Sequence, residues 1–369
     1  MNRSPDTVGI ISDRDLFISI ITNIIGVLTL TFPRVIAQDT SGSDGWISIL
    51  MGGLIASLFA WIVSKIAISF PNQSFYSYAT YLLSKPVAFV ITFIFSLLFT
   101  AVSAFNVSEI VFLSHQYLFD RTPEEIIALT FLLVVVYAVS GSQAAIFRLN
   151  ILFFPILLVG LLLVIFLPIS IVQLKELFPI FQTDFTGYIK STGTSTICFL
   201  GFIINFFYIA LVKNPKKIPK LSVMAVSIST FCYLIIFLVC ISVFGNVTTG
   251  NLFYPTFDLS RTVEIPGGFF DRFDAILFVF WTIIFFTSAM MGFDTAVMAL
   301  RMLFRRLKKM TAILILSPII FYISMLPKSY LELIYYNKGL GYFTLFYLII
   351  VTILLGVAFK IKGGKSGGE

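Results

Sequence analysis

Charged residues are scarce in this chain, and their scarcity excludes most classes of soluble protein. Only 12% of the 369 residues are Asp, Glu, Lys or Arg, whereas 58% are hydrophobic. A soluble domain carries roughly a quarter charged residues, because its surface faces water. A helix that faces lipid needs almost none. The composition therefore predicts a chain that is surrounded mostly by bilayer.

Cysteine and histidine are too few for most kinds of site chemistry. Cys198, Cys232 and Cys240 each lie in an apolar stretch, which is typical of helix packing rather than of a disulfide or metal site. A single histidine, His115, does not make a metal site by itself. No cluster of His, Cys and carboxylates converges on one place, and no loop is long enough for a catalytic domain. We therefore expect no metal, no cofactor and no enzymatic activity.

Long apolar runs are abundant, and they define the fold class. A helix needs about 20 residues to cross a hydrocarbon core of about 30 Å, and helices satisfy their own backbone polar groups in lipid. The chain is thus predicted to be an all-α polytopic membrane protein of about ten transmembrane helices. The predicted spans are 16–36, 45–66, 86–116, 124–140, 146–170, 192–212, 220–244, 273–300, 311–326 and 341–359.

Basic residues are distributed unequally between the two sides of these spans. If the first span begins on the cytoplasmic side of the membrane, 17 of the 25 Lys and Arg residues fall on that side. Basic residues in short loops are retained in the cytoplasm, so both termini are predicted to be cytoplasmic. The runs "KNPKKIPK" and "RMLFRRLKK" are interpreted as loops that set this topology and contact anionic lipids. We expect no nucleic-acid binding, because the sequence offers no soluble basic face.

Ten spans can be divided into two sets of five with opposite orientation in the membrane. The connections after the second span (67–85) and after the seventh (245–272) are both long, as expected if the two halves are equivalent. The chain is therefore predicted to be a single membrane domain, 1–369, built as a 5+5 inverted repeat. Residues 1–170 form the first half, 171–359 the second, and 360–369 a short cytoplasmic tail.

The first helix of each half is predicted to be broken near mid-membrane. Gly26 and Pro33 interrupt the first span, and Gly201 interrupts the sixth. Glycine weakens a helix, and proline removes a backbone donor. For the first span alone, close helix packing at Gly26 with an ordinary proline kink explains these residues equally well. Interruptions in both corresponding helices favour broken helices that hold a small polar ligand.

Three segments resemble a known family. They are the opening "ISDRDLFISIITNIIGVLTLTFPR", the basic "KNPKKIPK", and "FFDRFDAILFVFWTIIFF" leading into the eighth span. On these residues the chain resembles the B subunits of bacterial spore germinant receptors, the spore germination permease family of the amino acid/polyamine/organocation superfamily. The resemblance covers nearly the whole chain.

The resemblance implies a transporter-like fold of the LeuT/APC type in the spore inner membrane. It also implies a complex with a receptor A subunit and a lipoprotein C subunit, and binding of a small germinant such as an amino acid. A secondary transporter or facilitator of amino acids is the alternative function. A coupled porter would need a titratable carboxylate or lysine near the midplane, and no lysine lies in the interior of any predicted span; Lys65 and Lys220 lie at span ends.

The implied pocket lies between the broken first and sixth helices, with the third and eighth helices as its walls. There, free backbone N–H groups would meet an amino acid's carboxylate and exposed carbonyls its ammonium, so that no buried charged side chain is required. The alternative is that the hydroxyls only bond backbone carbonyls or allow close helix packing. The predicted ligand-binding residues are Gly26, Leu28, Thr100, Ser103, Gly201, Thr287 and Ser288.

Charges within the spans are few, and each needs a partner. In transporters of this fold, an arginine before the first helix often pairs with an aspartate low on the eighth; Arg14 and Asp294 match these places and are predicted to form an inner gate. Arg148 and Arg301 are competing partners. Glu109, in the outer part of the third span, has three open roles: a hydrogen bond between spans, a contact in an outer vestibule, or a contact with the ligand.

Overall fold

The computed structural model describes residues 11–259, 262 and 273–363, and this part of the chain is almost entirely helical. Its α-helices are α1 Asp13–Leu28, α2 Phe32–Asp39, α3 Gly45–Ile68, α4 Phe75–Leu82, α5 Lys85–Tyr117, α6 Glu124–Ser140, α7 Gln143–Phe166, α8 Phe185–Cys198, α9 Asn205–Tyr208, α10 Ile218–Phe244, α11 Asn246–Asn251, α12 Pro255–Asp258, α13 Phe273–Leu303, α14 Lys309–Ser324 and α15 Tyr330–Gly363. One isolated parallel β-bridge joins Ile11 to Val212.

Each predicted span corresponds to one helix or one broken pair of helices. Among the described residues, six helices are long and apolar enough to cross a membrane, and the bent pair 185–211 makes a seventh. The remaining three spans are shorter helices, namely α1 with α2, α6 and α14. The all-α polytopic fold is thus confirmed. The last helix begins at Tyr330 rather than near residue 341, and it continues to Gly363; residues 364–369 of the predicted tail lie outside the described residues.

The two halves carry corresponding short helices and corresponding breaks. The short helix α4 follows the second span, and α11 and α12 follow the seventh. The first span of each half is interrupted, between α1 and α2 and between α8 and α9. These features agree with a 5+5 arrangement. The division at residue 170 stays a prediction.

Local sequence explains where the first span begins and resumes. Ser12 and Asp15 form a capping box at the start of α1, with the Asp15 N–H donating to Ser12 Oγ at 3.1 Å and the Ser12 N–H donating to Asp15 Oδ2 at 2.9 Å. Pro33 lies in the first turn of α2, where its missing N–H costs no hydrogen bond. The chain therefore leaves the helix after Leu28 and re-enters it at Phe32.

Glycines let α3 pack closely against the second half. A Cβ on Gly52 would lie 2.5 Å from Ser195 Cβ, and one on Gly53 would lie 2.3 Å from Thr230 Oγ1. Small residues at helix interfaces are the usual means of close packing in membranes, where no hydrophobic force drives the helices together. The second span thus joins α8 and α10 across the two halves.

One carboxylate joins the first and second halves at the predicted outer end. Asp44, directly before α3, accepts hydrogen bonds from the N–H groups of Phe181 and Gln182, both at 2.6 Å, and of Thr183 at 2.9 Å. The Thr183 hydroxyl donates a fourth bond at 3.0 Å. Burial raises the pKa of Asp44, but these four donors outweigh it and hold the pKa below its ordinary value.

We expect Asp44→Asn to destabilise the folded protein by about 2–3 kcal/mol, because an amide replaces two acceptor oxygens by one and places its own N–H groups against backbone donors. Unfolding of the purified protein in detergent micelles measures this difference. Since the folded-state pKa of Asp44 is depressed, its contribution is complete at neutral pH and is lost as pH falls through that pKa, below about 3.9.

The matched control is Asp39→Asn, because the Asp39 carboxylate accepts no hydrogen bond among the described residues. We expect a change within about 0.5 kcal/mol for this variant. Equal stability of Asp44→Asn and the wild-type protein at pH 7 would contradict the role assigned to Asp44.

Candidate functional site

Side chains from the second half form hydrogen bonds with the backbone at the break in the first span. Tyr233 of α10 donates its hydroxyl to the Ile24 carbonyl at 2.8 Å and accepts a hydrogen bond from the Thr29 hydroxyl at 3.2 Å. The Thr29 hydroxyl also lies within hydrogen-bond distance of the Ile25 carbonyl, so its one proton is shared between this carbonyl and the Tyr233 hydroxyl. Thr256 of α12 donates to the Thr29 carbonyl at 2.7 Å. Specific hydroxyls therefore satisfy backbone groups that the break releases.

The break in the sixth span lies directly against the first helix. After α8 ends at Cys198, the chain continues as a 3-10 segment, Leu200–Ile204, and the span bends by 41°. A Cβ on Gly201 would lie 2.8 Å from the Ile24 backbone nitrogen, so a larger side chain would push the two helices apart. The Asn23 side-chain amide donates to the Gly201 carbonyl at 3.0 Å. Broken helices in both halves, as predicted, thus meet at Gly201.

A small cavity of about 120 Å³ lies beside this meeting point. Its walls come from α1, α5, the α8 break and α15, so α15 takes the place that the sequence analysis gave to the eighth span. Most of the lining is apolar or aromatic, including Phe95, Phe99 and Phe105. The polar side chains that line it are Asn23, Asn106, Glu109, Asn337 and Thr344.

The polar end of the cavity is rich in hydrogen-bond acceptors. Glu109 is only 5% exposed; its oxygens accept hydrogen bonds from Tyr254 at 3.2 Å and from Asn337 at 2.9 Å. Asn106 donates to the Val102 carbonyl at 2.8 Å, while its buried Oδ1 has no donor among the described residues. A carboxylate beside an unpaired amide oxygen suits a ligand that brings N–H donors and positive charge.

Two of the seven predicted ligand-binding residues line this cavity, namely Leu28 and Gly201. The other five lie where α13 packs on α1 and α5, or point into their own helix. A Cβ on Gly26 would lie 1.9 Å from Ser288 Oγ, which places these two residues in close helix contact. Ser103 donates to the Ala289 carbonyl at 3.0 Å, across the same α5–α13 interface.

The two threonines among the five bond their own helices. Thr100 donates to the Ser96 carbonyl at 2.7 Å, and Thr287 donates to the Ile284 carbonyl at 2.8 Å. Both residues are buried. Hydroxyls satisfied in this way agree with the alternative reading of the polar stripe, in which serine and threonine bond backbone carbonyls.

The predicted inner ion pair has a different cation in the structure. Asp294, 1% exposed, pairs with Lys309 at 3.3 Å and accepts a hydrogen bond from Tyr208 at 2.7 Å. Lys309 also donates to the Gly141 carbonyl at 2.6 Å. Arg14 is exposed at the start of α1 and forms no ion pair with Asp294 within the described part of the chain. The pair Arg14–Asp294 is therefore corrected to Lys309–Asp294 in this conformation, because α14 begins directly beside α13.

Two broken helices that meet beside a small cavity are the arrangement of a transporter-like membrane fold. The spore germination protein family matches residues 10–333 of the chain, and the chain belongs to that family. This match confirms the family resemblance, and the structural match reported next confirms the transporter-like fold.

Individual relatives agree with this assignment. Spore germination protein GerLB of Bacillus cereus is 38% identical over 361 residues, which cover 97% of this chain and 96% of that protein. Spore germination protein YndE of Bacillus subtilis (strain 168) is 28% identical over 93% of this chain and 94% of that protein. The solved structure of MhsT in complex with L-phenylalanine matches with a TM-score of 0.70 at 12% identity, covering 95% of this chain and 89% of that one.

Proposed function

We propose that this germinant receptor subunit binds a small amino acid in the cavity between its two broken helices. The observation that carries the proposal is the acceptor-rich end of that cavity, where Glu109 and Asn106 lie beside the break at Gly201. The cavity of about 120 Å³ is smaller than the pockets of about 300–1,000 Å³ that hold drug-sized ligands, which favours a ligand of few atoms.

The ligand would place its ammonium against Glu109 and Asn106 and its apolar side chain against the phenylalanines of α5. This arrangement differs from the expectation that no buried charged side chain is required. MhsT is an amino-acid-binding structure of the same fold, which supports the ligand class. Binding would favour one conformation of the transporter fold and so bias the partner subunits.

The partners would be a receptor A subunit and a lipoprotein C subunit, in the spore inner membrane, with both termini on the core side. The basic loops on the predicted cytoplasmic side would contact anionic lipids. These assignments rest on the family membership and on the distribution of Lys and Arg in the sequence.

A secondary transporter or facilitator of amino acids is the second candidate. The observation that favours it is Glu109 itself, since a buried carboxylate that lines the cavity is a group that a proton-coupled porter could use. Two results together would favour the transporter over the receptor. Vesicles would take up labelled amino acids only when they contain this chain, and spores would show no germination response that depends on it.

The proposed site predicts that filling the cavity weakens the response. Val102 lines the cavity on α5, and Val102→Phe adds a ring to a space of about 120 Å³. We expect spores that carry this variant to need at least roughly tenfold more amino acid for the same response, because the ligand must displace the ring, and forcing extra atoms into a packed site costs about 1–3 kcal/mol. Optical-density loss of spores across a panel of L-amino acids measures it.

The matched control is Leu97→Phe on the same helix, because Leu97 is 51% exposed and does not line the cavity. We expect a wild-type response from this variant at equal protein level. A panel in which no amino acid acts through the wild-type chain, or in which Val102→Phe responds as the wild type does, would refute the proposed site.

A further inference from the structure

Arg34 lies in the core of the protein although it is a charged residue in the first turn of α2. It is 8% exposed, so more than nine-tenths of its surface is buried. Its guanidinium carbon lies 5.3 Å from the ring centre of Phe253 and 5.8 Å from that of Tyr330. Contacts of this kind with aromatic faces stabilise a cation but supply no hydrogen-bond acceptor.

The guanidinium nitrogens Nε and Nη1 of Arg34 are buried and have no hydrogen-bond partner among the described residues. The acid Glu109 forms no ion pair with Arg34 in the part of the chain that the structure describes; its oxygens accept from Tyr254 and Asn337. Asp258 likewise accepts from Tyr117 at 2.9 Å. A buried arginine that lacks a carboxylate partner is unusual, because guanidinium is always charged and has five donors to satisfy.

Aromatic rings connect the guanidinium of Arg34 to the cavity on one side and to the exterior on the other. Tyr330 packs against Tyr254 with 4.9 Å between ring centres, and Tyr254 in turn donates to the cavity residue Glu109. On the other side, Phe253 is 39% exposed. A movement of this one exposed ring would therefore open Arg34 to a ligand arriving from the predicted outer face.

We propose that Arg34 is the carboxylate-recognition group of an outer subsite, which binds the anionic end of an amino acid ligand above the cavity. Two parallel N–H groups of a guanidinium match the two oxygens of a carboxylate. Arg34 supplies the positive charge of this outer subsite, and the Tyr254–Tyr330 pair separates it from Glu109 in the cavity. The inference rests on the proposed function, from which it takes the class of the ligand.

The test uses the purified full-length chain in lipid nanodiscs and a simple carboxylate, propionate, as probe. Excess propionate at about ten times its dissociation constant should raise the melting temperature of the wild-type protein by about 2 °C or more. Propionamide and chloride at equal concentration should give a smaller rise. Arg34→Gln should abolish the difference between propionate and propionamide, whereas Arg121→Gln, at an exposed arginine of the predicted outer face, should retain it.

Arg34→Lys keeps the positive charge without the paired donors, and we expect it to retain only part of the propionate effect. This second variant keeps the test decisive if Arg34→Gln does not fold. Equal stabilisation by propionate and chloride, no stabilisation of the wild-type protein, or full stabilisation of Arg34→Lys or Arg34→Gln would each overturn the proposal. Because propionate binding is measured without spores, its failure is distinguishable from a failure of the germination response.

Discussion

Replacing Glu109 by glutamine is expected to raise the amino acid concentration needed for half-maximal germination by roughly 10- to 150-fold. A hydrogen bond to a charged group contributes about 1.5–3 kcal/mol, and each 1.4 kcal/mol corresponds to about a factor of ten in affinity. Glutamine keeps the size of the side chain and one oxygen that can accept from Tyr254. The variant therefore removes the negative charge at the cavity with little change in packing.

Thr100→Val provides the matched control on the same helix. The sequence predicts a ligand contact for Thr100, but in the structure its hydroxyl bonds the Ser96 carbonyl at 2.7 Å. We therefore expect its dose–response to stay within about twofold of the wild type, because an intrahelical hydroxyl bond of this kind adds little. The opposite result would be a large loss of response for Thr100→Val and a normal response for Glu109→Gln. It would place the ligand between the third and eighth helices and contradict the acceptor-rich site.

The order of helices was predictable from the sequence because its causes are local. Apolar runs such as 45–66 need only their own residues to satisfy the backbone in lipid, and Gly201 marks the sixth-span break by its own chemistry. The start of the last helix was not predictable in this way. The stretch before residue 341 contains Lys338, Gly339 and several polar residues, yet it is helical from Tyr330 because it packs beside α5.

That earlier start explains what the sequence analysis missed at the site. Asn337 lies in the unexpected first turns of α15, where it lines the cavity and donates to Glu109. Glu109 itself was visible as a charge within a span, but its partners Tyr254 and Asn337 are far away along the chain. Spacing along one helix identifies a polar face; it does not reveal which neighbouring helix covers that face. Thr100 and Ser103 show the same difficulty.

The second large effect, on stability, is expected at the inner ion pair of Lys309 and Asp294. Lys309→Met should destabilise the folded protein by about 3–5 kcal/mol, because it leaves Asp294, 1% exposed, as a buried charge without its cation. Adding Asp294→Asn to Lys309→Met should restore most of that loss, since neutral residues can replace a buried pair at little cost and Tyr208 can still donate to the amide oxygen. Unfolding in detergent micelles measures both variants.

Arg14→Gln tests whether Asp294 pairs with Lys309, as in the structure, or with Arg14, as predicted from the sequence. Arg14 is exposed, so its removal should change the stability by no more than about 0.5 kcal/mol. Equal losses for Arg14→Gln and Lys309→Met would show that Arg14 shares the aspartate in solution. A loss confined to Lys309→Met, with rescue by Asp294→Asn, would establish that α14 and α13 hold the predicted cytoplasmic end together. Opening that end would then require Lys309 to leave both Asp294 and the Gly141 carbonyl.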